Sequence, residues 1–296
     1  MMFRLRRLLA PFVLCIALLF SEAQAFTIAW LSDTQNYHNA YKPIFDGMTQ
    51  WIADNRAALD ISFVFHTGDV VGSWSSEDQW RQARESMDIL SSASIPFLAA
   101  CGNHDIGYRM NYANFLKYVL SLRPASMSQE YGDTGSRYEL FSANGRDYIF
   151  MGIAFSNKGP SEDEVNWING VLRQYSSRDA IIITHSYLKK SAAYTTQGKA
   201  IFEKIVKANP NVFLVLCGHC RDISYKNVQL DDDGDGDPDR TVYAILSNFQ
   251  GSKAGGGGYM RILDFRDSDI YIYTYSPYYD SCEYPKGKTE ATVPLP

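Results

Sequence analysis

Five short apolar runs, each broken off by a potential metal ligand, constrain this chain more than any other feature. Phe26 to Leu31 runs into Ser32-Asp33-Thr34-Gln35, and Ile61 to Thr67 into Gly68-Asp69. Pro96 to Cys101 runs into Gly102-Asn103-His104-Asp105, Ala180 to Thr184 into His185, and Val212 to Cys217 into Gly218-His219. Short apolar runs bounded by turn residues read as buried strands. In open α/β sheets, sites form outside the carboxyl ends of the strands, so the pattern predicts that these polar residues converge. The glycines before Asp69, Asn103 and His219 let the backbone turn sharply into a crowded centre.

Helical periodicity fills the gaps between these strands. It is carried by Ile44, Phe45, Met48, Trp51, Ile52 and Leu59, then by Glu77 to Leu90, Glu162 to Gln174, and a stretch near Lys199 to Ala208. Tyr148 to Ala154 is a further strand, and from Thr241 onward the pattern is all strand: Thr241 to Leu246, Tyr259 to Phe265 and Ile270 to Tyr275. Strands alternating with helices and then strands alone predict one sheet-centred α/β domain over 26–276, with no internal repeat and no linker. Residues 277–296, with Pro277, Pro285, Pro294 and Pro296, read as an extended tail. Asp105 to Ser136 is too long for a plain connector and predicts a cap or lid over a site.

Residues 1–25 read as a secretory signal peptide. Arg4, Arg6 and Arg7 precede the apolar stretch Leu8 to Phe20, and Ala23-Gln24-Ala25 supplies a small–x–small cleavage pattern, with cleavage after Ala25. The apolar stretch is shorter than the roughly 18 residues a span needs, so stable membrane insertion is not expected. The destination is secreted or periplasmic. Four cysteines then remain, Cys101, Cys217, Cys220 and Cys282, enough for two disulfides in three connectivities. The formal net charge of −5 comes without any lysine- or arginine-rich block, so there is no electrostatic footprint for nucleic acid. An anionic substrate would have to meet local cations, for which bound metal ions are the obvious source.

Asp, Asn and His together make a mixed oxygen and nitrogen donor set that suits Mn, Fe or Zn. The ordered blocks Asp-x-Gln, Gly-Asp, Gly-Asn-His-Asp, His and Gly-His, spanning Asp33 to Cys220, resemble the calcineurin-like metallophosphoesterase superfamily. Its pattern is Asp-x-His, Gly-Asp, Gly-Asn-His-Asp/Glu, His and Gly-His-x-His. The resemblance implies an α/β sandwich of two facing sheets flanked by helices, carrying two divalent ions. It also implies metal-assisted hydrolysis of a small phosphomonoester or phosphodiester by a hydroxide the ions share. Asp69 would bridge the ions, with Asn103, His185 and His219 completing the second site and Asp33 and Gln35 on the first. His104 matches the histidine that stabilises the transition state or protonates the leaving oxygen, and Asp105 would orient it.

Two positions depart from the family pattern. Gln35 stands where a histidine is usual, as in a secreted bacterial-type branch that carries Asp-Thr-Gln. Cys220 replaces the final histidine, and it is open to a thiolate role or to a disulfide. Val70 and Val71, where purple acid phosphatases have a tyrosine, argue against that branch. The rival reading is a non-catalytic metal-binding protein on the same scaffold. His66, inside an apolar run, reads as a hydrogen-bonded core residue. Tyr37, His38, Tyr108 and Tyr187 lie near the motif loops and are candidates to line a pocket. Asp231 to Asp239 reads either as a calcium loop holding its ion by Asp231, Asp233 and Asp235, or as a solvated acidic turn; the glutamate expected at its twelfth position is Val242.

Overall fold

The computed structural model describes residues 25–122, 128–285 and 290–296. The signal-peptide reading therefore falls almost wholly outside the described residues. Thirteen strands among these residues form two mixed sheets. In the first, β1 (Phe26–Leu31), β2 (Ile61–His66) and β3 (Phe97–Ala99) run parallel. It continues antiparallel on the far side of β1 through β11 (Met260–Phe265), β12 (Asp269–Tyr275) and β13 (Ala291–Pro294). In the second, β6 (Arg146–Ile153), β7 (Asp179–Thr184), β8 (Val212–Cys217) and β10 (Arg240–Asn248) are parallel. It is edged antiparallel by β5 (Arg137–Ala143) and β4 (Ser128–Glu130) on one side and β9 (Asp222–Leu230) on the other.

Strand alternation builds the three layers. In β1, Phe26, Ile28 and Trp30 point between the sheets, where Phe63, Phe65, Phe150, Ile181, Ile183 and Leu216 meet them; Ala29 and Leu31 point the other way. Fully burying each such side chain stabilises by about 1.5–3 kcal/mol, so this layer locks the sheets face to face. The outer face of the first sheet is covered by α1 (Lys42–Asp54) and α2 (Glu77–Ser92), through Phe45, Met48, Trp80, Met87 and Leu90. The outer face of the second is covered by α4 (Glu162–Gln174) and α5 (Thr196–Ile201), whose last turn continues over Phe202–Val206 in the wider π form. Ser76, Ser161 and Thr195 cap α2, α4 and α5 by accepting from Gln79, Glu164 and Gly198 N–H.

Two segments read from the sequence as a cap or lid and as an extended tail take definite places in the fold. Within the described part of the segment expected to form a cap or lid, helix α3 (Ala113–Tyr118) lies against α2, with Phe115 buried and the Tyr118 ring stacked on Trp80 at 5.8 Å. The short hairpin closed by the Gly107–Asn111 bridge stays close to the motif loops, as do Asn114, which donates to the Trp74 carbonyl, and Tyr112, which donates to the Phe155 carbonyl. Within the expected extended tail, Ala291–Pro294 forms β13, which pairs with β12 and buries Val293.

Candidate dinuclear metal centre

β1, β2 and β3 deliver Asp33, Asp69 and Asn103 to one end of the first sheet, and β7 and β8 deliver His185 and His219 to the adjoining end of the second. The chain turns at three of the expected ligands: Asp33, Asp69 and His219 all have left-handed backbones, with φ of 51°, 53° and 69°. Such conformations are costly for side-chain-bearing residues and cluster at functional sites. The neighbouring glycines permit the crowding. A Cβ on Gly102 would stand 2.2 Å from the Asp69 nitrogen, and one on Gly218 would stand 2.3 Å from Asp33 Oδ2.

His185 is the hub. Its Nδ1 lies 2.8 Å from the Thr67 carbonyl, which fixes that nitrogen as a donor and turns Nε2 inward. Nε2 then faces Asp69 Oδ1 at 3.2 Å, Asn103 Oδ1 at 3.1 Å and His219 Nδ1 at 3.2 Å. Donor atoms sharing one ion at about 2.0–2.1 Å stand roughly 3 Å apart or slightly more, so the three spacings to Nε2 are of the size expected around one divalent ion. Asp69, His185 and His219 meet the spacing of a metal group on their carboxylate and imidazole atoms alone.

Of the residues expected at the first site, Gln35 and Asp69 are in direct contact. Gln35 Nε2 donates to Asp69 Oδ2 at 3.1 Å, and its buried Oε1 has no hydrogen-bond partner. A buried carbonyl oxygen left unsatisfied beside a carboxylate is the kind of atom a cation would take. Asp33 accepts from His219 N–H at 3.1 and 3.2 Å and from the Ser32 hydroxyl, which aims its carboxylate across the seam between the sheets. Cys220 is partly buried, and none of Cys101, Cys217, Cys220 and Cys282 is paired, so the disulfide alternative finds no support. Burial and then the Asp33 charge push its thiol up, so the thiol form is favoured over thiolate.

The electrostatics call for positive charge. Burial, with Asp69 adding, raises Asp33 to about 7, against the pull of His185. Burial and Asp69 raise Asp105 to about 8. Burial alone would lower His185, but the Asp69 carboxylate beside it and Asp33 beyond raise it to about 9. Burial also opposes ionisation of Asp69, yet His185 outweighs it and holds that carboxyl low. Burial and His185 together lower His219 to about 4. A divalent ion competes with protons at Asp33 and His185, so binding is weakened as pH falls through these values. Ion content after dialysis is expected to drop steeply between pH 8 and 5.5. An unchanged load at pH 5.5 would contradict this competition.

His104 is exposed. Its Nδ1 lies 2.8 Å from the Gly72 carbonyl and its backbone N–H donates to Asp69 Oδ1 at 2.9 Å. Asp105 does not orient it, contrary to the expectation from the motif. Its carboxylate instead accepts from Val71 N–H at 3.1 Å and Gly102 N–H at 2.8 Å, clamping the loops after β2 and β3 together. Orientation of His104 falls to a backbone carbonyl. Asp105→Ala would leave two buried N–H groups without an acceptor, and is expected to cost roughly 2–4 kcal/mol in urea unfolding. An unchanged midpoint would show that the clamp holds nothing.

His66 is a core residue, as its place in the sequence predicts. Nδ1 accepts from Gly68 N–H at 3.1 Å and Nε2 donates to Thr34 Oγ1 at 3.0 Å, tying the first two motif loops; burial lowers its pKa to about 3. Asn248 was not anticipated; it donates to the His219 carbonyl at 3.0 Å from the end of β10. Among the tyrosines near the motif loops, Tyr37 and Tyr187 are buried and Tyr108 is exposed, while His38 is partly buried against Asn39. In the acidic loop between β9 and β10, Asp231, Asp233 and Asp239 converge, whereas Asp235 accepts from Asp237 N–H at 2.9 Å; Asp239 replaces Asp235 in the expected trio.

The chain is 41% identical over 259 residues to the uncharacterized protein YvnB of Bacillus subtilis, covering 86% of this chain and 20% of that one, so it spans about a fifth of its relative's length. Among solved structures, a dimetal phosphatase from Danio rerio superposes with TM-score 0.61 at 12% identity, over 91% of this chain and 98% of that chain. GAP50, described as the anchor in the inner membrane complex of Plasmodium, gives 0.59 at 14%, over 92% and 89%. The purple acid phosphatase PPD1 of yellow lupin gives 0.60 at 12%, over 92% and 54%. At these identities the structures establish the shared fold. Residues 26–220, which include Asp33, Gln35, Asp69, Asn103, His185 and His219, match the calcineurin-like phosphoesterase family, and the chain belongs to that family.

Proposed function

We propose that this chain hydrolyses phosphomonoesters or phosphodiesters, with two divalent ions, outside the cytoplasm. The observation that carries the reading is the convergence of Asp69, Asn103 and His219 on His185 Nε2 at 3.1–3.2 Å. Asp69, Asn103, His185 and His219 would hold one ion; Asp33, Gln35 and the shared Asp69 would hold the other. Bound ions would supply Lewis-acid polarisation of a phosphoryl oxygen and a nucleophile available at neutral pH. His104, with Nδ1–H kept on the Gly72 carbonyl, holds a proton at Nε2 for the leaving oxygen and returns to the neutral ring on giving it up. Burial of Asp33 and Asp69 excludes water from the carboxylates and strengthens their grip on a cation.

Export rests on the basic Arg4, Arg6 and Arg7, the apolar stretch Leu8 to Phe20 and the small–x–small Ala23-Gln24-Ala25. Amino-terminal sequencing of the exported protein is expected to begin at Phe26. The rival reading, a metal-binding protein without turnover, draws on Gln35 and Cys220 at positions where the family pattern has histidine. Hydrolysis of p-nitrophenyl phosphate and bis-p-nitrophenyl phosphate, with and without chelator, separates the two. Chelator-sensitive turnover of either ester supports the enzyme; a fully metal-loaded protein inert to both supports the binder.

A further inference from the structure

The loops after β2 and β3 leave adjacent parallel strands and are bound into one unit. Asp105 bridges them, the His104 ring rests on the Gly72 carbonyl, and Gly107 packs against Trp74, where an added Cβ would lie 3.0 Å from the ring. Two residues beyond Gly72 stands Trp74, and four beyond His104 stands Tyr108, which chain length keeps within about 14 Å of it. Their rings meet edge to face at 5.5 Å, yet Tyr108 remains 84% exposed. The hairpin that displays Tyr108 continues through Arg109 and Met110, both left-handed, with φ of 59° and 60°. Two consecutive side-chain-bearing residues in that region are strained, and here the strain holds an aromatic ring out in water beside the catalytic loop.

We propose that Tyr108 and Trp74 are a stacking platform for the leaving group, and that the preferred substrate is a phosphate ester whose leaving group carries a flat ring. The inference rests on the phosphoesterase reading. In that reaction the leaving oxygen parts from phosphorus with the bonding pair and takes the proton of His104 Nε2, while water supplies the new P–O bond. The departing group therefore lies on the His104 side, where these two rings meet edge to face. An aromatic pair of this kind contributes beyond its buried area, and the contribution is present before and during reaction, so it acts on KM.

The test compares benzyl phosphate with cyclohexylmethyl phosphate, as monoesters and as methyl diesters, which differ in ring flatness rather than in leaving-group acidity. Wild type is expected to favour the benzyl ester. Tyr108→Ala is expected to raise its KM roughly three- to tenfold with kcat little changed, leaving the cyclohexylmethyl ester nearly unaffected. Tyr108→Phe, which keeps the ring face, is expected to behave as wild type. Equal changes on both esters, or none on either, in an active enzyme would overturn the platform alone. A wild-type protein that is metal-loaded and hydrolyses no ester overturns the phosphoesterase reading, and the platform with it.

Discussion

Asp69→Asn is expected to abolish hydrolysis and to strip ions from both sites, the largest effect of any single substitution in the chain. Asp69 Oδ1 lies 3.2 Å from His185 Nε2 and Oδ2 receives the Gln35 amide, so one carboxylate serves both halves of the centre. Its charge also holds His185 up to about 9 and contributes to the raised Asp33 and Asp105. Replacing it with an isosteric amide removes the shared ligand while relieving repulsion among three buried carboxyls. The fold is therefore expected to survive with a melting temperature similar to that of chelator-stripped wild type. Metal analysis and steady-state assay of the purified variant check this together. Retention of more than half the wild-type turnover would defeat the two-ion assignment.

His104→Ala is expected to keep both fold and ion content while lowering kcat by roughly 10²–10⁴, the range for loss of a general acid. The side chain is exposed and its ring bonds to the Gly72 carbonyl, which water can satisfy once the ring is gone. The backbone N–H that holds Asp69 Oδ1 is untouched by the substitution. Leaving groups that are already good need little protonation, so the loss should shrink as leaving-group acidity rises. An equal loss across a series of aryl esters would assign His104 to charge stabilisation instead.

Much of the centre is legible in the sequence because strands alone decide where its side chains arrive. A buried strand followed by a turn and a polar residue is a local pattern, and five of them in order specify Asp33, Asp69, Asn103, His185 and His219. Helix α4 is legible to its end residues for a similar reason: Ser161 caps it and Glu162, Asp163 and Glu164 fill its first turn. Strand β9 is not, since Asp222 to Leu230 alternates polar and half-buried residues and becomes a strand only by pairing with β10. Helix α1 stops at Asp54 although its apolar spacing runs on to Leu59. Within the site, apart from the Asn248 side chain, what escaped the sequence is carried by backbone atoms: the Gly72 carbonyl that holds His104, the N–H groups that hold Asp105, and the Thr67 carbonyl that sets His185. A residue pattern names side chains, and nothing in it marks which peptide group will stand opposite them.

Ion stoichiometry measured alongside turnover tests the central claim most directly. The protein is stripped with chelator, returned stepwise to Mn or Zn, and followed by elemental analysis and by hydrolysis of bis-p-nitrophenyl phosphate and p-nitrophenyl phosphate. Two ions per chain are expected, the first equivalent filling the site of Asp69, Asn103, His185 and His219. Activity is expected to rise mainly with the second equivalent, on Asp33 and Gln35. Full turnover with a single ion, or turnover in the stripped protein, would contradict a dinuclear centre.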